Sequence, residues 1–297
     1  MKVLITGAGG MLGQDLVVAA DAVHHDVVGL TRQQLDITDA NAVRDVFERE
    51  LPAVVINAAA YTDVDGAESD SIAALAINGE AAGVVAAAAA AVGAKVVQVS
   101  TDYVFDGRKG EAYVESDQPN PISVYGSSKL AGEVAVAEAN PRHLIVRSSW
   151  LFGLGGKNFV ETMLGLAEDQ SELLVVHDQV GSPTYTRHLA EAIVELIDFE
   201  RLGVMHLVAS GHCSWFEFAR EIFRQSQLDV SVLSGTTEML GRPAPRPAYS
   251  VLESSRDDAP ELPRWDHGLH GYLIARADAS GTPSQALQAI DANGALS

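Results

Sequence analysis

The sequence has 297 residues, of which 47% are hydrophobic, enough for one large α/β domain or for such a domain with a smaller partner. Its formal net charge of −20 disfavours binding to nucleic acid or to an anionic membrane, because both attract cations through their phosphates. The single cysteine, Cys213, excludes an internal disulfide, and the lack of an N-terminal charged segment followed by a long apolar run predicts no signal peptide and a cytoplasmic protein.

The first 150 residues alternate short β-branched runs with alanine-rich segments of helical pattern. The predicted strands are Lys2–Thr6, Asp26–Leu30, Ala53–Asn57, Lys95–Ser100 and His143–Ser148. The predicted helices between them lie near Met11–Val23, Ala40–Glu50, Ser71–Val92 and Val124–Ala137. Because the strands are apolar throughout and alternate with helices, the pattern predicts an α/β fold, a doubly wound parallel sheet of the Rossmann type.

The pattern is looser after Trp150. Further strands are predicted at Leu173–His177 and Gly203–Val208, and further helices near Thr186–Ile197 and Ser214–Gln225. A proline-rich stretch at 242–247 then interrupts regular structure. We predict a dinucleotide-binding domain over residues 1–150, to which segments near 178–208 return. A smaller, partly interleaved substrate domain is predicted over 151–273, and a tail without assigned function over 274–297.

A glycine-rich loop joins the first predicted strand to the first predicted helix. Gly7, Gly10 and Gly13 have the G-x-x-G-x-x-G spacing. The first glycine allows a sharp turn, the second a close approach to a pyrophosphate, and the third tight packing of helix on strand. The helix start at Met11 and Leu12 then offers free N–H groups and a partial positive charge to the phosphates. The loop therefore predicts a dinucleotide site.

The ends of the second and third predicted strands indicate which dinucleotide is bound. Sites that prefer NAD place an acidic residue at the end of the second strand to accept the ribose hydroxyls. Here Arg32 lies in that region, which favours NADP(H), with NAD(H) as the second possibility. Asp36 and Ile37 follow where related folds contact adenine, and the small residues Ala58–Ala60 would let the cofactor lie flat across the sheet.

A tyrosine and a lysine on one predicted helix indicate acid–base chemistry. Tyr125 and Lys129 are four residues apart on a predicted helix, which places both side chains on one face. An ammonium near a phenol favours the phenolate, so we expect Lys129 to lower the pKa of Tyr125 towards the range of an acid–base catalyst. The segment that starts with Ser100 and Thr101 closes the fourth predicted strand, where a hydroxyl would lie in the ligand crevice of a doubly wound sheet.

The sequence resembles the extended short-chain dehydrogenase/reductase family, because it has the glycine loop, then the threonine and then the Tyr/Lys pair in this order. Within it, several segments are similar to dTDP-4-dehydrorhamnose reductases over most of the chain up to Tyr272. These segments are Asn57–Glu68 (NAAAxTxVDxAE), Ser100–Asp106 (STDYVFD), Val124–Glu133 (VYGxSKLAGE), Arg147–Trp150 (RSSW), Asp178–Thr184 (DQxGxPT) and Arg246–Ser250 (RPxxS).

The resemblance implies an enzyme that uses NAD(P)H to reduce the 4-keto group of a dTDP-linked 4-keto-6-deoxy sugar, converting dTDP-4-dehydrorhamnose to dTDP-L-rhamnose. It implies that Tyr125 donates the proton to the developing alkoxide, while Thr101 hydrogen-bonds the same oxygen. Lys129 would hold the nicotinamide ribose and tune Tyr125. Lys129 and Tyr125 would therefore contact the cofactor as well as act in catalysis.

The resemblance also implies a set of contacts to the nucleotide sugar. Thr101, Asp102 and Tyr103 would line the substrate site beside the catalytic group. Trp150 would lie against the sugar, and Arg246 near the diphosphate or the thymidine.

A metal site described for some members of the family is not predicted here. In those members Mg²⁺ bridges a dimer through glutamates, and Asp15 could serve at the first of these positions. The second stretch reads Tyr185 to His188, where Arg187 would repel a hard cation that needs several oxygen ligands. We therefore predict no metal and a monomer, or a homodimer without a bridging metal.

Two alternatives to the reductase remain open. The first is an epimerase or dehydratase of the same family, since Asp102 beside Thr101 could supply the acid that a dehydratase needs; an epimerase would keep its cofactor tightly bound after purification. The second is a non-catalytic subunit similar to the regulatory subunit of methionine adenosyltransferase. This alternative is opposed by the intact Thr101, Tyr125 and Lys129. It would be favoured by a stoichiometric protein partner found in the absence of reductase turnover.

Overall fold

A computed structural model describes residues 1–281, built around a parallel sheet of six strands. The strands in chain order are β1 (Lys2–Thr6), β2 (Asp26–Leu30), β3 (Val54–Asn57), β4 (Lys95–Thr101), β5 (His143–Ser148), β6 (Leu151–Phe152), β7 (Glu172–Val176), β8 (Val180–Gly181), β9 (Thr184–Tyr185), β10 (Gly203–His206), β11 (Ala209–Ser210), β12 (Cys213–Ser214), β13 (Ser231–Gly235) and β14 (Leu262–Arg264). The helices are α1 (Met11–Ala22), α2 (Ala40–Glu50), α3 (Val64–Ser69), α4 (Ser71–Leu75), α5 (Ala81–Ala91), α6 (Val124–Ala139), α7 (Phe159–Leu166), α8 (Thr186–Ile197), α9 (Trp215–Gln225), α10 (Thr237–Leu240) and α11 (Trp265–Ala279).

The central sheet has the strand order β10-β5-β4-β3-β1-β2, and all its pairs are parallel. Val3, Leu4 and Ile5 of β1 have no exposed surface, because helices cover both faces of the strand. The chain moves outward from β1 to β2 on one side and from β3 to β5 on the other. This reversal opens a crevice at the carboxyl ends of β1 and β3, where doubly wound sheets bind ligands. The predicted fold class is confirmed.

Two helical layers cover the sheet. Helices α1 and α8 pack on one face, and α2, α5 and α6 lie on the other. The predicted helix at 71–92 is interrupted, since α4 and α5 are joined by a π-helical turn at Ala76–Glu80. By length and composition, Ser71–Ala91 is the one helical run of the described chain that could cross a membrane, but core helices pass the same test. Ala74, Val85 and Ala86 of this run are buried within the fold.

Beyond β5 the chain builds a second hydrophobic cluster, to which Phe152, Phe218 and Tyr272 contribute. It then returns to the central sheet, where β10 pairs with β5 and ends at His206, two residues before the predicted end. The domain boundaries stay a prediction. The first residues of the predicted tail continue α11 to Ala279, and positions 282–297 lie outside the described residues.

Candidate active site

The glycine loop packs tightly against the end of β3. Gly7 has a φ of +69°, and a Cβ built on it would lie 2.6 Å from the backbone nitrogen of Ala59. A Cβ on Gly13 would lie 2.1 Å from the carbonyl oxygen of Gly7, so α1 can approach the loop only with glycine there. Gly10 caps α1 without a side-chain hydrogen bond, which leaves the N–H groups of the first turn, from Met11 onward, available for phosphate.

The remaining predicted cofactor residues lie along the same edge of the sheet. Leu12 is buried behind the loop, and Ala58–Ala60 are half-buried at the end of β3. Arg32 is exposed and makes no hydrogen bond or salt bridge within residues 1–281, so its guanidinium is free to meet a 2′-phosphate. Asp36 is exposed and accepts hydrogen bonds from Thr38, whereas Ile37 is buried in the core. The adenine contact of Asp36 and Ile37 stays a prediction.

The predicted catalytic residues come together at the carboxyl end of β4. Ser123 caps α6 by accepting from the N–H of Gly126, which places Tyr125 in the first turn of the helix. A Cβ on Gly126 would lie 2.2 Å from the carbonyl oxygen of Tyr103, so the helix start is pressed against the turn that follows Thr101. One turn further along, the Nζ of Lys129 donates to the carbonyl oxygen of Val99 at 2.7 Å.

Burial is the main cause of the pKa shifts of Tyr125 and Lys129. It raises the pKa of Tyr125 to about 12, aided by the charge of Asp102, whereas a hydrogen bond with Thr101 opposes the rise. Burial lowers the pKa of Lys129 to about 8, against the opposing charge of Glu133. The pKa of Tyr125 is thus raised in this structure, whereas the spacing of Lys129 led us to expect a lowered value. Tyr125 keeps its proton at neutral pH.

The residues after Thr101 form one wall of the site. The ring of Tyr103 meets that of Tyr125 edge to face, with 5.6 Å between centroids. Tyr103 is also hydrogen-bonded to Arg246, whose guanidinium contacts both carboxylate oxygens of Asp65 at 3.1 and 3.0 Å. The Arg246 hydrogen bonds hold the pKa of Asp65 at about 2. Arg246 therefore lies beside the predicted catalytic group, although it follows it by more than a hundred residues.

Trp150 is held in an unusual conformation at the end of β5. Its φ is +48°, a region that bulky non-glycine residues adopt rarely. Its ring stacks on Trp215 with 3.5 Å between centroids and 3° between planes. A Cβ on Gly181 would lie 2.5 Å from the Trp150 ring, so glycine is needed there. Sequence reasoning did not pair Trp150 with Trp215, which begins α9.

Comparison with known proteins identifies the family of this site. The family model for the RmlD substrate binding domain matches residues 1–276. A dTDP-4-dehydrorhamnose reductase of Streptomyces griseus is 44% identical over 290 residues, which cover 94% of this chain and 95% of that protein. The chain belongs to the dTDP-4-dehydrorhamnose reductase family. The spore coat polysaccharide biosynthesis protein SpsK of Bacillus subtilis is also 44% identical, over 94% of this chain and 99% of that protein.

A solved structure agrees with this membership. The dTDP-4-dehydrorhamnose reductase of Bacillus anthracis, crystallised in complex with NADP, superposes with a TM-score of 0.90 and 42% sequence identity. The superposition covers 92% of this chain and 99% of that chain. The resemblance found in the motifs is therefore confirmed at the level of the family.

The family's DQxGxPT motif supports the tryptophan pair. The Asp178 carboxylate accepts from both the N–H and the hydroxyl of Thr237. Gln179 accepts from the indole N–H of Trp215 at 3.1 Å and donates to Thr237 at 2.8 Å. With Gly181 beneath Trp150, the motif fixes both indoles. Sequence reasoning did not place Gln179 and Trp215 beside Trp150, and the matched motif was the signal that could have led to Gln179.

A buried polar network behind Lys129 was also missed. Arg147 on β5 donates to both carboxylate oxygens of Glu133 on α6, and both side chains are at most 5% exposed. The hydroxyl of Ser100 donates to the same carboxylate at 2.5 Å. In the π-helical turn, Asn78 bonds the backbone of the segment after β3 and the hydroxyl of a serine on α6. The signal for this network in the sequence was the presence of charged and amide side chains within otherwise apolar segments.

The two positions considered above for a bridging metal lie where α1 packs against the start of α8. Asp15 accepts a hydrogen bond from the hydroxyl of Thr186 at 2.5 Å, and burial raises its pKa. Arg187 pairs with Glu191 across 3.6 Å. Among residues 1–281, no three His, Cys, Asp or Glu side chains are grouped as a metal site requires. The prediction of a chain without this metal stays a prediction.

Proposed function

We propose that this protein reduces the 4-keto group of a dTDP-4-keto-6-deoxy sugar with NADPH, converting dTDP-4-dehydrorhamnose to dTDP-L-rhamnose. The observation that carries the proposal is the grouping of Thr101, Tyr125 and Lys129 at the carboxyl end of β4, in a chain that belongs to this reductase family. The family membership supports the reaction class, and the geometry supports the role of each residue.

The proton of the reaction comes from the protein. A bound reduced nicotinamide would supply a hydride for the carbonyl carbon, so the carbonyl oxygen needs one proton. Tyr125 carries that proton at neutral pH because burial raises its pKa to about 12. Thr101 is hydrogen-bonded to Tyr125 and keeps the phenol beside that oxygen. Lys129 uses one of its three donors on Val99 and keeps the others for the ribose hydroxyls of the cofactor.

The burial of Asp102 supports a reductase over a dehydratase. A dehydratase needs an acid or base that reaches the sugar, and Asp102 was the candidate. Its side chain is 1% exposed, and its two oxygens accept hydrogen bonds from Thr101 and Ser250. A carboxylate with both oxygens occupied inside the protein is poorly placed to exchange a proton with substrate.

The cofactor residues support NADP(H), with NAD(H) as a weaker second choice. Gly7, Gly10, Gly13 and the uncapped start of α1 fit a pyrophosphate, because they expose N–H groups and leave no room for side chains. Arg32 fits the 2′-phosphate that distinguishes NADPH from NADH. We expect no nucleic acid or membrane partner, and a monomer or a homodimer without bridging metal.

The test is to incubate the purified protein with dTDP-4-keto-6-deoxy-L-mannose and NADPH or NADH. Loss of reduced-cofactor absorbance, with formation of a dTDP-6-deoxyhexose by mass spectrometry and NMR, is the expected result. UDP- and GDP-linked analogues measure the choice of nucleotide. No oxidation of either cofactor would contradict the proposal, and cofactor absorbance retained through purification would favour an epimerase instead.

A further inference from the structure

A loop from the C-terminal half of the chain closes against the turn that follows β4. We define this RPxxS loop as residues 246–250. Gly107, with a φ of +74°, lies so close to it that a Cβ there would be 2.6 Å from the backbone nitrogen of Ala248. The carbonyl oxygen of Ala248 accepts from the N–H of Val180 at 2.8 Å, and the N–H of Ser250 donates back to Val180 at 2.9 Å. The backbone of the loop is therefore held on two sides.

The last residue of the RPxxS loop contacts a buried carboxylate. Ser250 is 1% exposed, and its hydroxyl donates to Oδ2 of Asp102 at 2.5 Å. The other oxygen of Asp102, Oδ1, accepts from the hydroxyl of Thr101 at 3.0 Å. Ser250 and Thr101, 149 positions apart in the sequence, are thus joined through one carboxylate.

This chain of hydrogen bonds determines how Thr101 presents its oxygen. A threonine hydroxyl has one proton and two lone pairs. The proton of Thr101 is directed to Asp102, and its oxygen accepts from the N–H of Tyr103 at 3.2 Å. The same oxygen is within hydrogen-bonding reach of Tyr125. A shift of Asp102 would therefore rotate Thr101 away from the proton donor.

We propose that Ser250 and Asp102 are positioning residues, which fix Thr101 against Tyr125 so that the RPxxS loop completes the catalytic site. The inference rests on the proposed reductase function. It gives the loop two roles. Arg246 at its start faces the predicted nucleotide end of the substrate beside Tyr103, and Ser250 at its end sets the catalytic hydroxyl.

Ser250→Ala tests this with little change in volume, and Thr186→Val is the matched control. The hydroxyl of Thr186 also donates to a part-buried carboxylate, Asp15, at 2.5 Å, but where α1 packs against the start of α8. Both variants remove one short hydroxyl–carboxylate bond. For Ser250→Ala we expect kcat to fall about tenfold or more, because small misplacements of reacting groups cost up to about a hundredfold. The KM for the sugar and the affinity for NADPH should stay within about threefold, and Thr186→Val should keep kcat near the wild-type value.

A second pair of variants tests the inference independently, in case Ser250→Ala folds poorly. Asp102→Asn keeps the shape and an oxygen that can accept from Thr101, whereas Asp102→Leu keeps the size alone. We expect Asp102→Asn to retain more of kcat than Asp102→Leu when both bind NADPH normally. Equal kcat for wild type, Ser250→Ala and Asp102→Leu would overturn the inference.

Crystal structures of wild type and Ser250→Ala provide a readout that does not depend on turnover. The inference expects the contact between Thr101 and Asp102 to be present in the wild type and to be lost or rotated in the variant. An unchanged Thr101 in Ser250→Ala would overturn it. A wild type that oxidises no cofactor with any dTDP-4-keto sugar would instead contradict the proposed reductase function, whatever the position of Thr101.

Discussion

Replacing Arg147 by methionine will leave the Glu133 carboxylate buried without its main partner. The guanidinium donates to Glu133 through Nε and Nη2, with a shortest distance of 2.7 Å, and the two side chains are 4% and 5% exposed. After the substitution, the one donor that remains to Glu133 in the described network is the hydroxyl of Ser100. Methionine fills much of the volume of arginine, so the change tests charge more than packing.

The expected cost is large because water cannot replace the lost partner. Removing one member of a buried ion pair costs about 3–5 kcal/mol, since the other charge stays desolvated. For 297 residues, an unfolding entropy of about 2.1 cal/mol/K per residue converts that cost into a fall in Tm of about 5–8 °C. Removing both charges, with Glu133→Leu and Arg147→Met together, should restore stability to within about 1 kcal/mol of wild type.

Urea unfolding followed by circular dichroism on the four proteins of this cycle gives the coupling free energy. Arg142→Met is the matched control, because its ion pair with Glu200 is exposed at the protein surface. Exposed pairs contribute about 0.2–1 kcal/mol, so this control should unfold near the wild-type midpoint. The reasoning is refuted if Arg147→Met costs no more than Arg142→Met, or if the double variant is as unstable as the single one.

Three further predictions concern the site itself. Tyr125→Phe should lower kcat by about 10²–10⁴-fold while NADPH affinity, measured by fluorescence titration, stays near wild type; retained turnover would refute the proton-donor role. Arg32→Ala should raise the KM for NADPH about tenfold more than the KM for NADH, since it removes a charge-assisted contact to the 2′-phosphate, and equal effects would refute the cofactor argument. Burial raises the pKa of Asp102 to about 6 from 3.8, so its contribution to stability is present below pH 4 and is lost as the pH rises through 6. Asp102→Asn should therefore gain stability relative to wild type between pH 4 and pH 7, by about 1–3 kcal/mol, and a difference that is constant with pH would contradict this.

The central fold was predictable because its signals are local. Strands buried on both faces are apolar throughout, and the glycine loop marks the junction of β1 and α1. The carboxyl ends of parallel strands share one edge, so Gly7 and Thr101 could be placed in one crevice without any knowledge of side-chain contacts. Less of the C-terminal half was predictable. The parallel pair of β7 and β13 joins segments about sixty residues apart, and neither strand shows a local preference for the other.

The pKa of Tyr125 shows where spacing alone misleads. Sequence spacing places Lys129 one helical turn away, which predicts a lowered pKa. In the folded chain, burial of the phenol and the charge of Asp102 act in the opposite direction, and Lys129 directs its ammonium to Val99. Desolvation depends on every neighbour that packs around a group, so it cannot be inferred from two positions on one helix. A raised pKa is nevertheless what a reductase needs, because the tyrosine must hold its proton until the alkoxide forms.

The same limit explains why the RPxxS segment could be matched but not understood from sequence. The spacing of Arg246 and Ser250 does not indicate a chemical role. The residues that they contact lie far earlier in the chain. Gly107 is the structural link, because only a residue without a side chain allows the backbone at Ala248 to approach the turn after β4. Two motifs that look independent in the sequence are therefore one interface. If that interface positions the catalytic hydroxyl, Gly107→Ala should reduce kcat through the same loss of contact between Ser250 and Asp102, without touching substrate or cofactor.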